Sequence, residues 1–476
     1  MMIRYFLGRR LLSAGVLAGG VLLTTACDTD RLLEVEDPDR VRPDAITDST
    51  ALPAVRAGAI GDLQLAYAGS GGTEGQILQS ALLADEMYAS GTFPTRIDVD
   101  RRDSQFRNAT NGGVYLNVHR ARRALERAAV SYENLAPANV NRAEMLALAS
   151  LTTSMIGENY CSGVPFSEAS DEDPFGEPLD TDQIFERALS QADAALAAAG
   201  TNVTFTNLAR VARGRALLNL GRYADAAAAV AEVPTTFAYN MEHSANTGRQ
   251  NNGIWSFSNN QGRFSVSNIE GGNGLPYWDD FAEGDTRIPN TRLTGAVANG
   301  FNTLARRQVQ QKYPLLSSSV ALATGVEARL IEAEAALQAN DAGLYLTRLN
   351  DLRANSALYA CPEGAIDCAS ATLPALTAPG SQDERVETLF RERAYWLFLT
   401  SHRLGDLRRQ IRDYGRSAAD AGFPTGQYLI PGATAGTTTG SGEPYGAQVA
   451  LHVGIDELNN PKFSATFPEG CDVTQP

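Results

Sequence analysis

The chain has 476 residues, 43% of them hydrophobic, and a formal net charge of −15 at pH 7. That length supports one large core or two moderate ones. A chain this acidic is repelled by nucleic acid and by anionic lipid surfaces, so neither is expected as a ligand.

At the N-terminus, Arg4, Arg9 and Arg10 precede an apolar run from Leu11 to about Leu23, and small residues lead to Cys27. This is the order of a secretory signal. The run falls short of the roughly 20 apolar residues that a membrane-spanning helix needs. A cysteine directly after Thr25 and Ala26 resembles a bacterial lipobox. The resemblance implies cleavage before Cys27, so that 1–26 is a signal peptide and 27–476 the mature chain. It also implies diacylglycerol on the Cys27 sulfur and a palmitate-type lipid anchor, in which each buried CH₂ contributes roughly 0.8 kcal/mol. Losing the three arginines takes the net charge from −15 to −18.

Four cysteines remain, an even number that favours disulfides in an exported chain. Cys361 and Cys368 flank a short loop, CPEGAIDC, and are expected to pair. That leaves Cys161 with Cys471, a staple from the C-terminal tail to the N-terminal half. Zinc is the alternative, but no CxxC and no nearby histidine supports it.

Helical periodicity is expected over 113–131, 139–160 and 181–200. Residues 206–233, TNLARVARGRALLNLGRYADAAAAVAEV, give two helices broken at LGRY, with alanines and glycines spaced for close helix approach. The stretch resembles a tetratricopeptide hairpin. VEARLIEAEAALQANDAGLYLTRLNDLRA, 326–354, repeats the plan around an Asn-Asp turn, and a last helical stretch is expected over 383–413. These units are dispersed along the chain. The expected fold is therefore mainly α: a scaffold over 50–233 and 319–415 that carries insertions, and not a regular solenoid. Residues 234–318 lose the helical period and are rich in Gly, Asn and Ser; 416–476 form a second loop-rich region. Long irregular segments are functional or disordered. Eight aromatics between Phe237 and Phe281 argue for order in the first.

Motifs for catalysis are missing. There is no GxSxG, and neither lysine (Lys312, Lys462) follows a glycine as a phosphate loop requires. The four histidines, His119, His243, His402 and His452, are isolated. DEDPFGEPLDTD, 171–182, echoes a calcium loop at Asp171, Asp173 and Gly176, but Phe175 and Asp182 break the ligand pattern. No carboxylate pair stands out for glycoside hydrolysis. No enzyme activity, metal or cofactor is expected.

The stretch RERAYWLFLTSHRLGDLRR, 391–409, resembles the signature near the end of SusD/RagB-family outer-membrane lipoproteins. Glu392, Arg393, His402, Arg403, Asp406, Leu407, Arg408 and Arg409 match, while Trp396, Thr400 and Ser401 depart from it. Other stretches match in the family's order: LEVEDPDRVRPDAI (33–46), NYCSGVPFSEA (159–169), EPLDTDQIFERALSQADAAL (177–196), EGDTRIP (283–289) and VGIDELNNPKF (453–463). The resemblance implies a non-catalytic lipoprotein of the outer membrane. Such a protein caps a SusC-like TonB-dependent transporter and passes oligosaccharides or other nutrients to it. Read without the family, Arg403, Asp406 and Arg409 are three-residue neighbours on a solvated helix face, each pair worth about 0.2–0.5 kcal/mol. Trp396, Leu397, Phe398 and Leu404 are then its buried side.

Sugar rings offer apolar CH faces edged by hydroxyls, so a site for them needs flat aromatics beside amides. Residues 234–318 supply Trp255, Tyr277 and Trp278 among Asn251, Asn252, Asn259 and Asn273. GLPYWDD, 274–280, is the preferred candidate, because Gly274 and Pro276 favour an exposed turn presenting Tyr277 and Trp278. Two rivals stand beside this reading. A helical scaffold lipoprotein without a small ligand would bury Trp255, Tyr277 and Trp278 together, and a secreted glycan hydrolase would face two carboxylates across a cleft.

Overall fold

The computed structural model describes residues 47–168, 174–377 and 380–476. The expected signal peptide, Cys27 as the expected lipidation site, the 33–46 stretch and the Asp171 and Asp173 positions lie outside the described residues.

Ten helices make the scaffold: α1 Leu52–Ala68, α2 Ala109–Leu135, α3 Asn141–Asn159, α4 Thr181–Ala198, α5 Val203–Asn219, α6 Tyr223–Val230, α7 Gly325–Gln338, α8 Ala342–Ala354, α9 Gln382–Trp396 and α10 Arg403–Tyr414. Their starts follow from local chemistry. Asp180 caps α4 and Ser381 caps α9, each in a reciprocal box with the residue three on, and Asp341 accepts from the Leu344 amide to open α8. Gly221, at φ +68, makes the left-handed turn between α5 and α6. At Gly214 a Cβ would fall 2.4 Å from Val230, so this glycine sets how closely α5 and α6 approach.

Each of α2 to α7 packs on the next in order, with α1 against α2. The hairpins are dispersed in sequence yet consecutive in space, as expected of a helical scaffold that carries an insertion. The reason is topological. The insertion leaves after α6 and returns before α7, and antiparallel strands Ala238–Met241 and Val320–Thr324 close its neck. One large apolar core runs beneath α1 to α6 and the insertion; a smaller one joins α7, α8 and α9 through Leu330, Tyr345, Leu349 and Phe390. Among the described residues no helix is long and apolar enough to cross a membrane.

The expected helix over 383–413 is broken at Leu397–His402, where Leu399 and Ser401 take φ of 51° and 63°. The break persists because neighbours take up its backbone groups. Lys312 Nζ donates to the Phe398 carbonyl at 2.6 Å, Tyr313 to that of Leu399 at 3.2 Å, and Tyr67 to that of Thr400 at 2.9 Å. The Leu399 amide donates to Glu86 at 3.0 Å.

The charged face of α10 is not solvated, a second correction. Arg403, Asp406, Arg408 and Arg409 are all buried. Arg393 forks onto Asp406 at 2.8 Å through two nitrogens, and Arg409 onto Glu334 at 2.8 and 2.9 Å. The Asp406–Arg409 pair forms at 2.9 Å, but Arg403 turns to the Phe390 carbonyl instead. These partners come from α7 and α9, which helical spacing alone does not reveal. Beside them, Arg215 of α5 forks onto Glu327 of α7 at 2.6 and 2.7 Å. Disulfides join Cys161 to Cys471 and Cys361 to Cys368, with Cα–Cα distances of 5.9 and 5.8 Å.

Candidate functional site

Short ladders hold the insertion together: β1 Met87–Ala89 with β2 Phe264–Val266, and β3 Asn290–Arg292 with β4 Gln308–Gln310, both antiparallel. Past the β1–β2 ladder, three loops are stitched edge to edge. The Ser90 amide donates to the Arg263 carbonyl (3.0 Å), that of Phe301 to Gly262 (2.8 Å) and that of Asn302 to Ser90 (3.0 Å). Gly300 allows the approach, since a Cβ there would lie 2.6 Å from that of Ser90.

On this frame sit two outward phenylalanines, Phe93 at 46% and Phe301 at 49% exposure. The Arg263 guanidinium lies 3.8 Å from the Phe301 ring centroid and 5.0 Å from that of Phe93. Arg96 lies 4.4 Å from the Phe93 centroid, so cations and rings alternate in one row. Arg96 is buried and neutralised by Glu74, its Nε donating at 2.6 Å. Arg263 Nε instead donates to the Gln261 side chain at 2.8 Å. Leu304 and Val297, exposed in the neighbouring loop, extend the apolar surface. A pair of fixed, half-exposed aromatic rings beside a guanidinium can stack on a flat apolar face and bond to its polar edge.

The preferred candidates lie elsewhere. Tyr277 is 0% and Trp278 9% exposed. GLPYWDD is not an exposed turn, because Tyr277 begins a short helix, Tyr277–Ala282, whose first residues face inward. Tyr277 packs on Tyr395 and Phe398 with centroids 5.4 and 5.1 Å away; Trp278 donates to the Val266 carbonyl at 2.6 Å and sits under Arg306. Trp255 is half-buried. Asn273 donates to the carbonyls of Ala419 (2.9 Å) and Phe423 (2.6 Å), tying the insertion to the C-terminal region. Asn251, with its amide turned to suit its neighbours, donates to the Ser244 and Thr247 carbonyls at 3.0 and 2.9 Å. Asn252 caps the turn at Trp255, and Asn259 bonds to Gln310. The seven do not converge on one surface group; they build the insertion's interior and seams.

Phe93 and Phe301 escape helical-pattern reasoning, Phe93 because it lies outside 234–318 altogether. A signal was present: GTFPT and GFN place each ring between turn residues, away from any apolar period.

Beneath the insertion, Asp85, Asp100 and Glu270 are buried together. Burial pushes Glu270 up to about 8 and Asp100 to about 7, and raises Asp85, which Glu270 and Asp100 raise further. Arg403 opposes the shift at Asp85, and the Tyr428 hydroxyl donates to Asp100 at 2.7 Å. Sealed acids of this kind do not face a substrate across a cleft. They do predict a pH dependence. The folded state keeps protons that unfolded carboxyls release near pH 4, so stability is lost as pH rises from there toward 8. The loss is on the order of a few kcal/mol. Melting temperature is expected to fall between about pH 5 and 8.5, and Glu270→Gln, which fixes the neutral form, to flatten that slope. An unchanged slope in the variant would contradict the assignment. Among the described residues, no group of three or more His, Cys, Asp or Glu is placed to hold a metal ion.

No family model matches the sequence, and no curated protein is similar to it. Solved structures are. A SusD/RagB family protein from Bacteroides thetaiotaomicron has 13% identity and a TM-score of 0.63 over 89% of this chain and 97% of its own. A SusD-like protein from Bacteroides fragilis gives 12% and 0.62 over 88% and 96%. Surface glycan-binding protein A from Bacteroides uniformis gives 14% and 0.60 over 87% and 98%. Coverage this complete at so little identity is a likeness of architecture, and the chain has the SusD-like fold.

Proposed function

We propose that this chain is a non-catalytic, lipid-anchored protein of the outer membrane that captures oligosaccharides and delivers them to a SusC-like TonB-dependent transporter. The observation that carries the reading is the exposed pair Phe93 and Phe301 on a rigid, backbone-stitched frame. Large rings left half in water on a fixed surface are what a sugar's CH face stacks against. The similar Bacteroides uniformis protein is described as glycan-binding, which agrees with it. Anchoring rests on the run before Cys27, and the transporter on the family resemblance of the 391–409 signature. The ordered hairpins α4 to α8 offer the partner a rigid surface, of the sort helical repeats present.

Binding of a panel of neutral and acidic oligosaccharides to the purified mature chain tests this. At least one is expected to bind without being cleaved, and Phe93→Ala with Phe301→Ala to weaken it at least about tenfold, equivalent to 1.4 kcal/mol. Unchanged binding in the double variant, turnover of a bound glycan, or no binding across the panel would each overturn the reading. Recovery of a large barrel protein with the tagged chain from detergent-solubilised membranes tests the transporter. The scaffold-only rival gains from the burial of Tyr277 and Trp278, but leaves Phe93 and Phe301 without a role.

A further inference from the structure

Arginines in the helical scaffold are mostly matched to carboxylates: Arg56 to Glu144, Arg187 to Glu126, Arg215 to Glu327, Arg393 to Asp406 and Arg409 to Glu334. On the ligand platform Arg96 keeps that habit with Glu74, but two further arginines do not. Arg263 has no carboxylate within ion-pair distance among the described residues, and neither has Arg307, whose side chain lies against Gly262, the residue before Arg263. Arg307 bonds only to the carbonyls of Asn259 (2.5 Å) and Asn260 (3.1 Å). Arg263 Nη1 is closed off without any partner, and so is Arg307 Nε. Neither guanidinium is ion-paired, although Glu74 attracts Arg263 from beyond that distance, and both are partly buried on a protein whose net charge is −15.

Such an arrangement costs energy in the free protein, because partial burial of an unpaired Arg263 beside the like charge of Arg96 disfavours its cation, which the more distant Glu74 only in part offsets. A neutral ligand would leave that cost in place. A ligand bearing a carboxylate or sulfate would remove it, and a guanidinium held against two rings is pre-organised to meet an anion. Resting on the function proposed above, we infer that the glycan is acidic: a uronic-acid or sulfated oligosaccharide whose sugar face meets Phe93 and Phe301 and whose anionic group meets Arg263. The protein's overall negative field opposes the approach of any polyanion. Selectivity is therefore local, and short acidic oligomers suit the site better than long ones.

The test compares hexasaccharides of galacturonic acid, of chondroitin sulfate and of neutral maltose units by calorimetry with the full mature chain. At about 20 mM salt, one or both acidic probes are expected to bind at least about tenfold more tightly than the neutral one, a preference that collapses near 0.5 M salt. Arg263→Gln should cut the acidic-to-neutral ratio at least about fivefold, while Arg263→Lys, which keeps the charge but not the planar group that stacks on the rings, retains part of it. Preference for galacturonate alone assigns a carboxylate ligand, and for chondroitin sulfate alone a sulfate; either supports the inference. Equal or tighter binding of the neutral probe, sensitive to Phe93→Ala and Phe301→Ala but not to Arg263→Gln, would overturn the acidic class and leave capture standing. Binding of none of the three would overturn the acidic class as well. Neutral or other glycans elsewhere in the wider panel would then decide whether capture stands.

Discussion

Glu334→Ala is expected to destabilise the folded chain by about 3–5 kcal/mol, the usual cost of stranding one member of a buried ion pair. Glu334 is the acid onto which Arg409 forks, and Arg393 approaches it at 3.7 Å while also forking onto Asp406. All four side chains are at most 2% exposed, so water cannot replace the lost carboxylate. Burial alone would raise Asp406, yet Arg393 and Arg409 outweigh it and hold its pKa down at about 2. A depressed carboxylate stabilises the fold above its unfolded pKa, near 4, and the contribution is lost as pH falls toward 2. The pair-removed variant Glu334→Leu with Arg409→Met should be less damaged than Glu334→Ala, because no charge is left alone and the Arg393–Asp406 pair remains. Urea unfolding of Glu334→Leu, of Arg409→Met and of the double variant measures the coupling. If the single losses simply add, the pair is not the unit described here.

That network also shows what the sequence could and could not say. Periodicity and turn residues located both hairpins, since α5–α6 and α7–α8 are local events set by Gly221 and by the Asn340–Asp341 turn. The signature over 391–409 pointed to the right fold. Its charges were nonetheless placed in water, because a charged helix face is normally solvated and the neutralising acids lie some 75 residues away in α7. The break at Leu399 was hidden for the same reason. Tyr67, Lys312 and Tyr313, which satisfy its backbone, come from distant segments. At the candidate site the error ran the other way. Tyr277 and Trp278 follow Gly and Pro and looked exposed, yet an aromatic pair beside a turn can equally start a buried helix. Only the positions of Tyr395, Phe398 and the Val266 carbonyl decide between them. Phe93 and Phe301 lie 208 residues apart and become one surface only through loop-to-loop backbone bonds that no local pattern encodes.

Removing the Cys161–Cys471 bond is expected to cost about 5 kcal/mol, roughly twice the cost of removing Cys361–Cys368. The difference follows from the unfolded chain: the first bond spans a sequence separation of 310 and the second one of 7. A cross-link over a longer loop removes more conformational freedom from the unfolded state, growing with the logarithm of loop length. Packing acts in the same direction. Cys161 and Cys471 are buried, and the tail they secure is also held by the amides of Val449 and Ala450, which donate to the Val473 carbonyl at 2.8 and 3.1 Å. Cys361 lies exposed on a surface loop, so mild reductant should open that bond first and leave the melting temperature little changed. Denaturant unfolding of the two Cys→Ser double variants checks the order. Equal losses, or a larger loss at Cys361–Cys368, would mean that loop length does not govern these bonds. The Cys161–Cys471 variant should also leave the last residues, beyond Phe467, more open to protease under native conditions, because the hydrogen bonds to Val473 and local packing hold them less firmly than a covalent bond.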